Sequence, residues 1–174
     1  EIVKVPLQDY RHDLEAMAAA ITDKTKMIFI CNPNNPTGTI VTKQEVDKFL
    51  AQVPDDVIVV FDQAYQEYVS SQNYADGLDY LADYSNIIVL KTFSKAYGLA
   101  GLRLGYGVAD KELIGYLDRV RQPFNVGAVA QQAAEASLEA AQHLKQTIKK
   151  NEQGKKYLYD QFDQLGLKYV PTEA

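Results

Sequence analysis

The chain has 174 residues, of which 47% are hydrophobic and 24% are charged, a composition typical of a globular protein and not of a disordered or collagen-like one. Its net charge of -5 argues against broad binding to nucleic acid or to anionic membranes, and its single cysteine excludes an intrachain disulfide. The sequence begins without a signal peptide and contains no apolar run long enough to span a membrane, so we expect a cytoplasmic protein.

Both ends of the sequence fall inside runs that are typical of strands. Residues 2–5 alternate between apolar and polar side chains, and residues 167–170 begin a similar run. Because natural domains seldom begin or end within an element, we expect the chain to be a segment of a longer protein.

Short apolar runs alternate along the chain with segments of helical periodicity. Four runs predict strands, at residues 27–31, 57–61, 87–90 and 104–108. Helical spacing predicts helices at residues 14–21 after an Asp13 cap, after the capping box of Thr42 and Glu45, at residues 113–120, and from residue 127 to about residue 165 with a bend at Gly154. This alternation favours an α/β fold whose mostly parallel sheet carries helices on both faces, in a three-layer α/β/α arrangement.

Polar and reactive side chains follow three successive predicted strands. They occupy residues 32–38, 62–65 and 91–95. In sheets of this kind, ligands bind beyond the carboxyl ends of the strands. We therefore expect these three segments to converge along one edge of the sheet.

The types of residue in these segments indicate a particular kind of ligand. The guanidinium of Arg103 and the hydroxyls of Thr92 and Ser94 suit a phosphate group. Lys95 is a candidate amine nucleophile toward an aldehyde, and Asp62 is a candidate counter-charge for a ring nitrogen. Taken singly, each segment has an ordinary explanation as a rigid turn, a helix cap or a solvated side chain. Together they describe a phosphorylated aromatic aldehyde, a description that pyridoxal phosphate fits.

Three motifs carry a resemblance to a known family. They are Asn-Pro-Asn-Asn-Pro-Thr-Gly at 32–38, Asp-Gln-Ala-Tyr at 62–65, and Thr-Phe-Ser-Lys-Ala-Tyr-Gly-Leu-Ala-Gly-Leu-Arg-Leu-Gly-Tyr at 92–106. With this order and spacing, the sequence resembles fold-type I pyridoxal-phosphate aminotransferases, and among them the histidinol-phosphate aminotransferase family. The resemblance covers essentially the whole chain, which corresponds to the middle of the family's roughly doubled length.

The resemblance implies catalytic roles for Lys95, Asp62 and Tyr65. Lys95 would form the Schiff base with pyridoxal 5'-phosphate and, once displaced by the substrate, would move a proton between the substrate Cα and the cofactor C4′. Asp62 would pair with the pyridine nitrogen and so strengthen the ring as an electron sink. Tyr65 and Asn35 would hydrogen-bond the phenolic oxygen of the cofactor.

The remaining cofactor contacts implied by the resemblance surround the phosphate. Arg103, Ser94 and Thr92 would hold that group. Lys91 receives no role and is interpreted as structural or solvated. The two histidines lie far apart without ligand-spaced partners, so no metal site is expected.

The resemblance also divides the chain. Residues 1–166 correspond to part of the large, pyridoxal-phosphate-binding domain, and residues 167–174 to the start of a small C-terminal domain. The family's upstream phosphate loop and ring-stacking aromatic residue are missing here, as is its downstream arginine for the substrate carboxylate. We therefore expect this segment to be inactive alone, and the full-length protein to be a homodimer with shared active sites.

The predicted function is amino-group transfer between a small-molecule amino donor and a 2-oxo acid, with no nucleic-acid or membrane partner. The specific prediction is histidinol phosphate with 2-oxoglutarate, in histidine biosynthesis. Two alternatives share all three motifs: an aromatic amino-acid aminotransferase and an amino-acid-phosphate decarboxylase of the same fold. A third is a non-catalytic fragment or scaffold.

Overall fold

The computed structural model describes residues 1–174. Four strands form the sheet: β1 (Met27–Cys31), β2 (Ile58–Asp62), β3 (Ile87–Thr92) and β4 (Gly105–Ala109). The α-helices are α1 (Leu14–Ala19), α2 (Lys43–Leu50), α3 (Lys111–Val120), α4 (Ala128–Glu139) and α5 (Ala141–Gln164). None of these helices combines the length and the apolar composition that crossing a membrane requires.

The sheet has the strand order β1-β2-β3-β4. The first three strands run parallel, and β4 pairs antiparallel with β3. At Gly105 the two strands approach so closely that a Cβ would lie 2.7 Å from the Lys91 carbonyl oxygen, which favours glycine there. The predicted α/β fold with a mostly parallel sheet is confirmed, and β1 lies at one edge of it.

One face of the sheet forms the main core with α1 and α2. Ile30, Phe61 and Val89 are aligned across three strands and are fully buried on this face. Phe49 of α2 and Leu14 of α1 belong to the same apolar cluster. Because alternate strand residues point to opposite faces, this row fixes the orientation of every other residue in the sheet.

The opposite face carries the next row of strand residues. Val60 and Ile88 are buried at its centre, whereas Phe29 at the β1 edge is 60% exposed. Asp62 and Leu90 are aligned on this second face, at the carboxyl end of the sheet. The alternation of the strands therefore brings the Asp62 carboxylate out on the face away from α1 and α2.

The predicted helix starts are confirmed by their capping bonds. The Asp13 side chain accepts a hydrogen bond of 2.9 Å from the Ala16 N–H at the start of α1. At the start of α2, Thr42 Oγ1 accepts from the Glu45 N–H, and Glu45 Oε2 accepts from the Thr42 N–H over 2.6 Å. These bonds satisfy backbone donors that a helix leaves unpaired at its first turn.

The predicted bend at Gly154 is wrong. Gly154 lies inside the continuous 24-residue helix α5, and the chain breaks instead at Ala140, with φ -84° and ψ 50°. A glycine inside a helix costs only about 1 kcal/mol relative to alanine, which a long helix tolerates. Alanine is a strong helix former, so the residue type gave no signal of the break.

The strands predicted at residues 2–5 and 167–170 are also absent. Ile2 and Val3 are largely exposed, and residues 167–174 have no regular secondary structure. An apolar alternation becomes a strand only where another strand offers hydrogen bonds, and neither segment has such a neighbour. The Glu173 N–H instead donates to the Gly38 carbonyl oxygen over 2.8 Å. The division of the chain at residues 166 and 167 stays a prediction.

The position of the core predicts that removing the ring of Phe49 destabilises the fold much more than removing the ring of Phe29. Phe49 is 1% exposed, so Phe49→Ala should lower the free energy of unfolding by about 3–5 kcal/mol. Phe29→Ala removes the same atoms from an exposed position and should change it by less than about 1 kcal/mol. Urea denaturation of the 174-residue chain measures both values. Equal losses would contradict the assignment of the core to the α1–α2 face.

Candidate active site

A cavity of about 330 Å³ lies at the carboxyl end of the sheet, near the lower limit of roughly 300–1,000 Å³ for ligand pockets. Its lining includes five of the seven predicted site residues: Asp62, Thr92, Ser94, Lys95 and Arg103. A larger cavity of about 660 Å³ lies beside α1 and α2, away from these side chains. The smaller cavity is the candidate site because it holds the reactive groups.

Asp62 ends β2 and has no cation partner in the chain. Its Oδ1 accepts a hydrogen bond of 3.2 Å from the Ala64 N–H, and its other oxygen makes none. Cys31 is aligned with it on β1. Burial raises the pKa of the Cys31 thiol, and the charge of Asp62 raises it further. The site therefore contains a partly buried carboxylate that is available to a positively charged ring nitrogen.

Tyr65 and Asn35, the other two predicted site residues, do not line the cavity but lie next to Lys95, which does. The Lys95 amine forms no hydrogen bond or ion pair with the chain, and its Nζ lies 5.0 Å from the centre of the Tyr65 ring. Asn35 Nδ2 donates to the Tyr65 hydroxyl over 3.2 Å. The structure thus brings the first and second predicted segments next to the third.

The three residues predicted to hold a phosphate differ in availability. Thr92 Oγ1 accepts from the Ser94 N–H over 3.1 Å and donates to the Leu104 carbonyl oxygen over 3.4 Å. The Ser94 hydroxyl makes no hydrogen bond. Arg103 has a left-handed backbone, with φ 52° and ψ 52°, and its Nη1 donates to the Ala100 carbonyl oxygen. Thr92 therefore fixes the loop, while Ser94 and the remaining N–H groups of Arg103 stay free to bind an anion.

Two lysines border this cavity, and their surroundings differ. The Lys91 side chain is only 5% exposed, its Nζ donates to Gln66 Oε1, and it lies 3.9 Å from Asp76 Oδ1. Lys95 is exposed and has no such partners. Of the two interpretations of Lys91, the solvated one is wrong and the structural one agrees with its burial.

A buried hydrogen-bond network lies next to the site segments. It was not predicted from the sequence. Gln63 is fully buried; its Nε2 donates to the Tyr74 hydroxyl over 2.7 Å and to the Ala75 carbonyl oxygen over 3.0 Å. The Tyr74 hydroxyl donates to the Asn32 carbonyl oxygen over 2.6 Å. The network joins the residue after Asp62 to the residue that begins the 32–38 segment. Gln63 and Asn32 lie within the quoted motifs, but nothing in the sequence around Tyr74 marks it.

These groups fit pyridoxal phosphate. The cavity offers an amine without a partner, a carboxylate without a cation, and a guanidinium beside a free hydroxyl. An aldehyde, a protonated ring nitrogen and a phosphate are the groups that such a set complements.

The comparison with protein families agrees with this chemistry. The model for aminotransferase class I and II matches residues 1–174, and the chain belongs to that family. It is 57% identical to the histidinol-phosphate aminotransferase of Moorella thermoacetica over 99% of this chain and 45% of that protein. The chain thus spans about half the length of the curated relatives it matches.

Two solved structures extend the comparison. The histidinol-phosphate aminotransferase from Sinorhizobium meliloti, solved in complex with pyridoxal-5'-phosphate, is similar with a TM-score of 0.93 and 30% identity over 100% of this chain and 47% of that one. The L-threonine-O-3-phosphate decarboxylase from Porphyromonas gingivalis is similar with a TM-score of 0.76 and 27% identity over 89% of this chain and 47% of that one. Both likenesses support the fold-type I assignment.

The network predicts that removing the Tyr74 hydroxyl lowers the free energy of unfolding. Burial raises the pKa of Tyr74, so its phenol stays protonated and keeps donating to Asn32. Tyr74→Phe leaves the Asn32 carbonyl oxygen and one Gln63 N–H unpaired and should cost about 1–3 kcal/mol of unfolding free energy. Tyr157→Phe, at a side chain 62% exposed, is the matched control and should cost less than about 0.5 kcal/mol. Indistinguishable urea midpoints would show that the network does not stabilise the fold.

Proposed function

We propose that the protein containing this chain is a pyridoxal-phosphate-dependent aminotransferase that acts on histidinol phosphate with 2-oxoglutarate, in histidine biosynthesis. The observation that carries the proposal is an unpaired Lys95 amine on the same cavity as the unpaired Asp62 carboxylate. The choice of amino donor is supported by relatives that are 46–57% identical to the chain and are named histidinol-phosphate aminotransferases.

Pyridoxal phosphate, when bound, supplies an electron sink that stabilises negative charge at the substrate Cα. Lys95 is the residue that would bond the aldehyde carbon of the cofactor. Once released, its Nζ would take the proton from the substrate Cα and deliver a proton to the former aldehyde carbon of the cofactor. Lys91 cannot take this role in its observed position, because its amine is buried and already has partners.

Asp62, Tyr65 and Asn35 would orient the ring of the cofactor. The Asp62 carboxylate would accept the ring N–H and keep that nitrogen protonated, and each pKa unit of this effect corresponds to about 1.36 kcal/mol. Tyr65 and Asn35, which already share a hydrogen bond, would bind the phenolic oxygen. Arg103, Ser94 and Thr92 would hold the phosphate, with Thr92 acting mainly through the loop.

A homodimer with shared active sites and a cytoplasmic location complete the proposal. Both rest on the family resemblance and on the composition of the chain. Size-exclusion chromatography with light scattering of the full-length protein tests the homodimer. Cell fractionation tests the cytoplasmic location.

The amino-acid-phosphate decarboxylase alternative is favoured by one observation, the similarity to the Porphyromonas gingivalis decarboxylase. The cavity residues described above suit either reaction, because both need the same cofactor held in the same way. A product assay separates them: formation of glutamate and a ketone from histidinol phosphate and 2-oxoglutarate supports transfer, whereas release of carbon dioxide from an amino-acid phosphate without 2-oxoglutarate supports decarboxylation.

The proposed role of Lys95 predicts that pyridoxal phosphate can be attached covalently to its amine. Pyridoxal phosphate followed by borohydride should modify Lys95, and peptide mapping should locate the label there. Lys95→Ala should abolish the label, while Lys24→Ala, at an exposed lysine outside the cavity, should retain it. A label that persists in Lys95→Ala, or protein that stays colourless with added cofactor, would contradict the proposal and favour a non-catalytic scaffold.

The proposed role of Arg103 predicts that its removal weakens the binding of the cofactor. Arg103→Ala removes a charged donor from the phosphate side, and we expect an affinity about tenfold weaker, restored in activity assays by excess pyridoxal phosphate. Fluorescence titration of the cofactor measures the change. Arg121→Ala, at an exposed arginine paired with Asp118, is the control. An unaltered affinity in Arg103→Ala would remove Arg103 from the phosphate site.

A further inference from the structure

We infer that Lys91 is a positioning residue, which holds the turn carrying Tyr65 against β3 and so sets the Tyr65 ring beside Lys95. The inference rests on the proposed function for its meaning, because Tyr65 and Lys95 matter only if they bind the cofactor. The placement itself is a property of the protein without cofactor and can be measured there.

The first step is the burial of Lys91. Its side chain is 5% exposed, and a buried ammonium group is stable only with partners that replace water. Gln66 Oε1 accepts a hydrogen bond from its Nζ, and Asp76 Oδ1 lies 3.9 Å away. Lys91 is therefore held by two residues that belong to other parts of the chain.

The second step is that these partners are fixed to one another. Gln66 Nε2 donates to Asp76 Oδ2 over 2.6 Å, and Asp76 Oδ1 accepts from the Leu78 N–H over 3.0 Å. Lys91, Gln66 and Asp76, here called the lysine cluster, form a closed set of contacts. A change at any member should disturb the other two.

Glu67 adds a reason for the positive charge. Its Oε2 is buried without a hydrogen-bond partner, and burial raises the pKa of its carboxyl group. The charge of Lys91 acts in the opposite direction and stabilises the carboxylate form. The charge of Asp76 raises the pKa of Glu67, and the charge of Lys91 offsets this repulsion.

The third step connects the lysine cluster to the site. Gln66 directly follows Tyr65 and begins the short 3-10 turn Gln66–Tyr68. Lys91 stands on β3, four residues before Lys95. The Lys91–Gln66 bond thus ties the turn with Tyr65 to the strand that leads to Lys95. The 5.0 Å separation between the Lys95 Nζ and the Tyr65 ring centre depends on this tie.

The test compares Lys91→Met, which keeps the length but removes the charge, with Lys91→Arg, which keeps a cation. The protein is labelled with 3-fluorotyrosine in its longest natural form without cofactor, and the ¹⁹F resonance lost in Tyr65→Phe is assigned to Tyr65. We expect Lys91→Met to shift or broaden that resonance and to weaken pyridoxal-phosphate affinity about tenfold. Lys91→Arg should restore most of both. Lys24→Met should change neither.

An unshifted Tyr65 resonance in folded Lys91→Met would overturn the inference, as would failure of Lys91→Arg to restore it. If Lys91→Met does not fold, Gln66→Ala removes the Lys91–Gln66 hydrogen bond without removing either charged group and must shift the same resonance; an unchanged signal there is equally decisive. The resonance is read without cofactor, so it can move even if the Lys95 label fails. The two proposals therefore fail independently.

Discussion

The parallel register of β1, β2 and β3 is the constraint on which the rest of the structure depends. Asp62 is level with Cys31 on one side and Leu90 on the other, so β1 and β2 end at the same level, while β3 continues two residues further to Thr92. The ladder continues past the strands, because the Asn32 N–H donates to the Asp62 carbonyl oxygen and the Gln63 N–H to that of Leu90, each over 2.9 Å. Main-chain bonds thus align the three polar segments before any side chain contributes.

Side-chain partners then divide the charged groups into two kinds. Lys91 is buried and paired, and it joins separate parts of the chain. Lys95 and Asp62 lie on the same cavity and have no oppositely charged partner in the chain. A charge that is already paired must give up its partner before it can bind a ligand, whereas an unpaired charge beside a cavity needs no such exchange. The contrast is the structural basis for proposing different roles for Lys91 and Lys95.

What could be predicted from the sequence follows from how local each signal is. The apolar runs gave the strands, because a strand buried on both faces must be apolar throughout. The Thr42–Glu45 capping box gave a helix start, because its bonds join residues three apart. The strand predicted at residues 2–5 is absent, because a strand depends on a partner distant in sequence, which a local alternation does not reveal. The burial of Tyr74 and Lys91 depends likewise on contacts with residues far away in sequence. Their structural roles could therefore not be predicted from the local sequence.

Under the proposed function, this half of a relative's length would hold the cofactor and would leave the choice of substrate largely to other residues. Asp62, Lys95 and Arg103 would act on atoms of the cofactor and on the Cα proton, which are common to every substrate of such enzymes. Which bond at Cα reacts depends instead on how the substrate is oriented, and orientation is set by contacts with its other groups. The similarity of this half to both an aminotransferase and a decarboxylase is what such a division predicts.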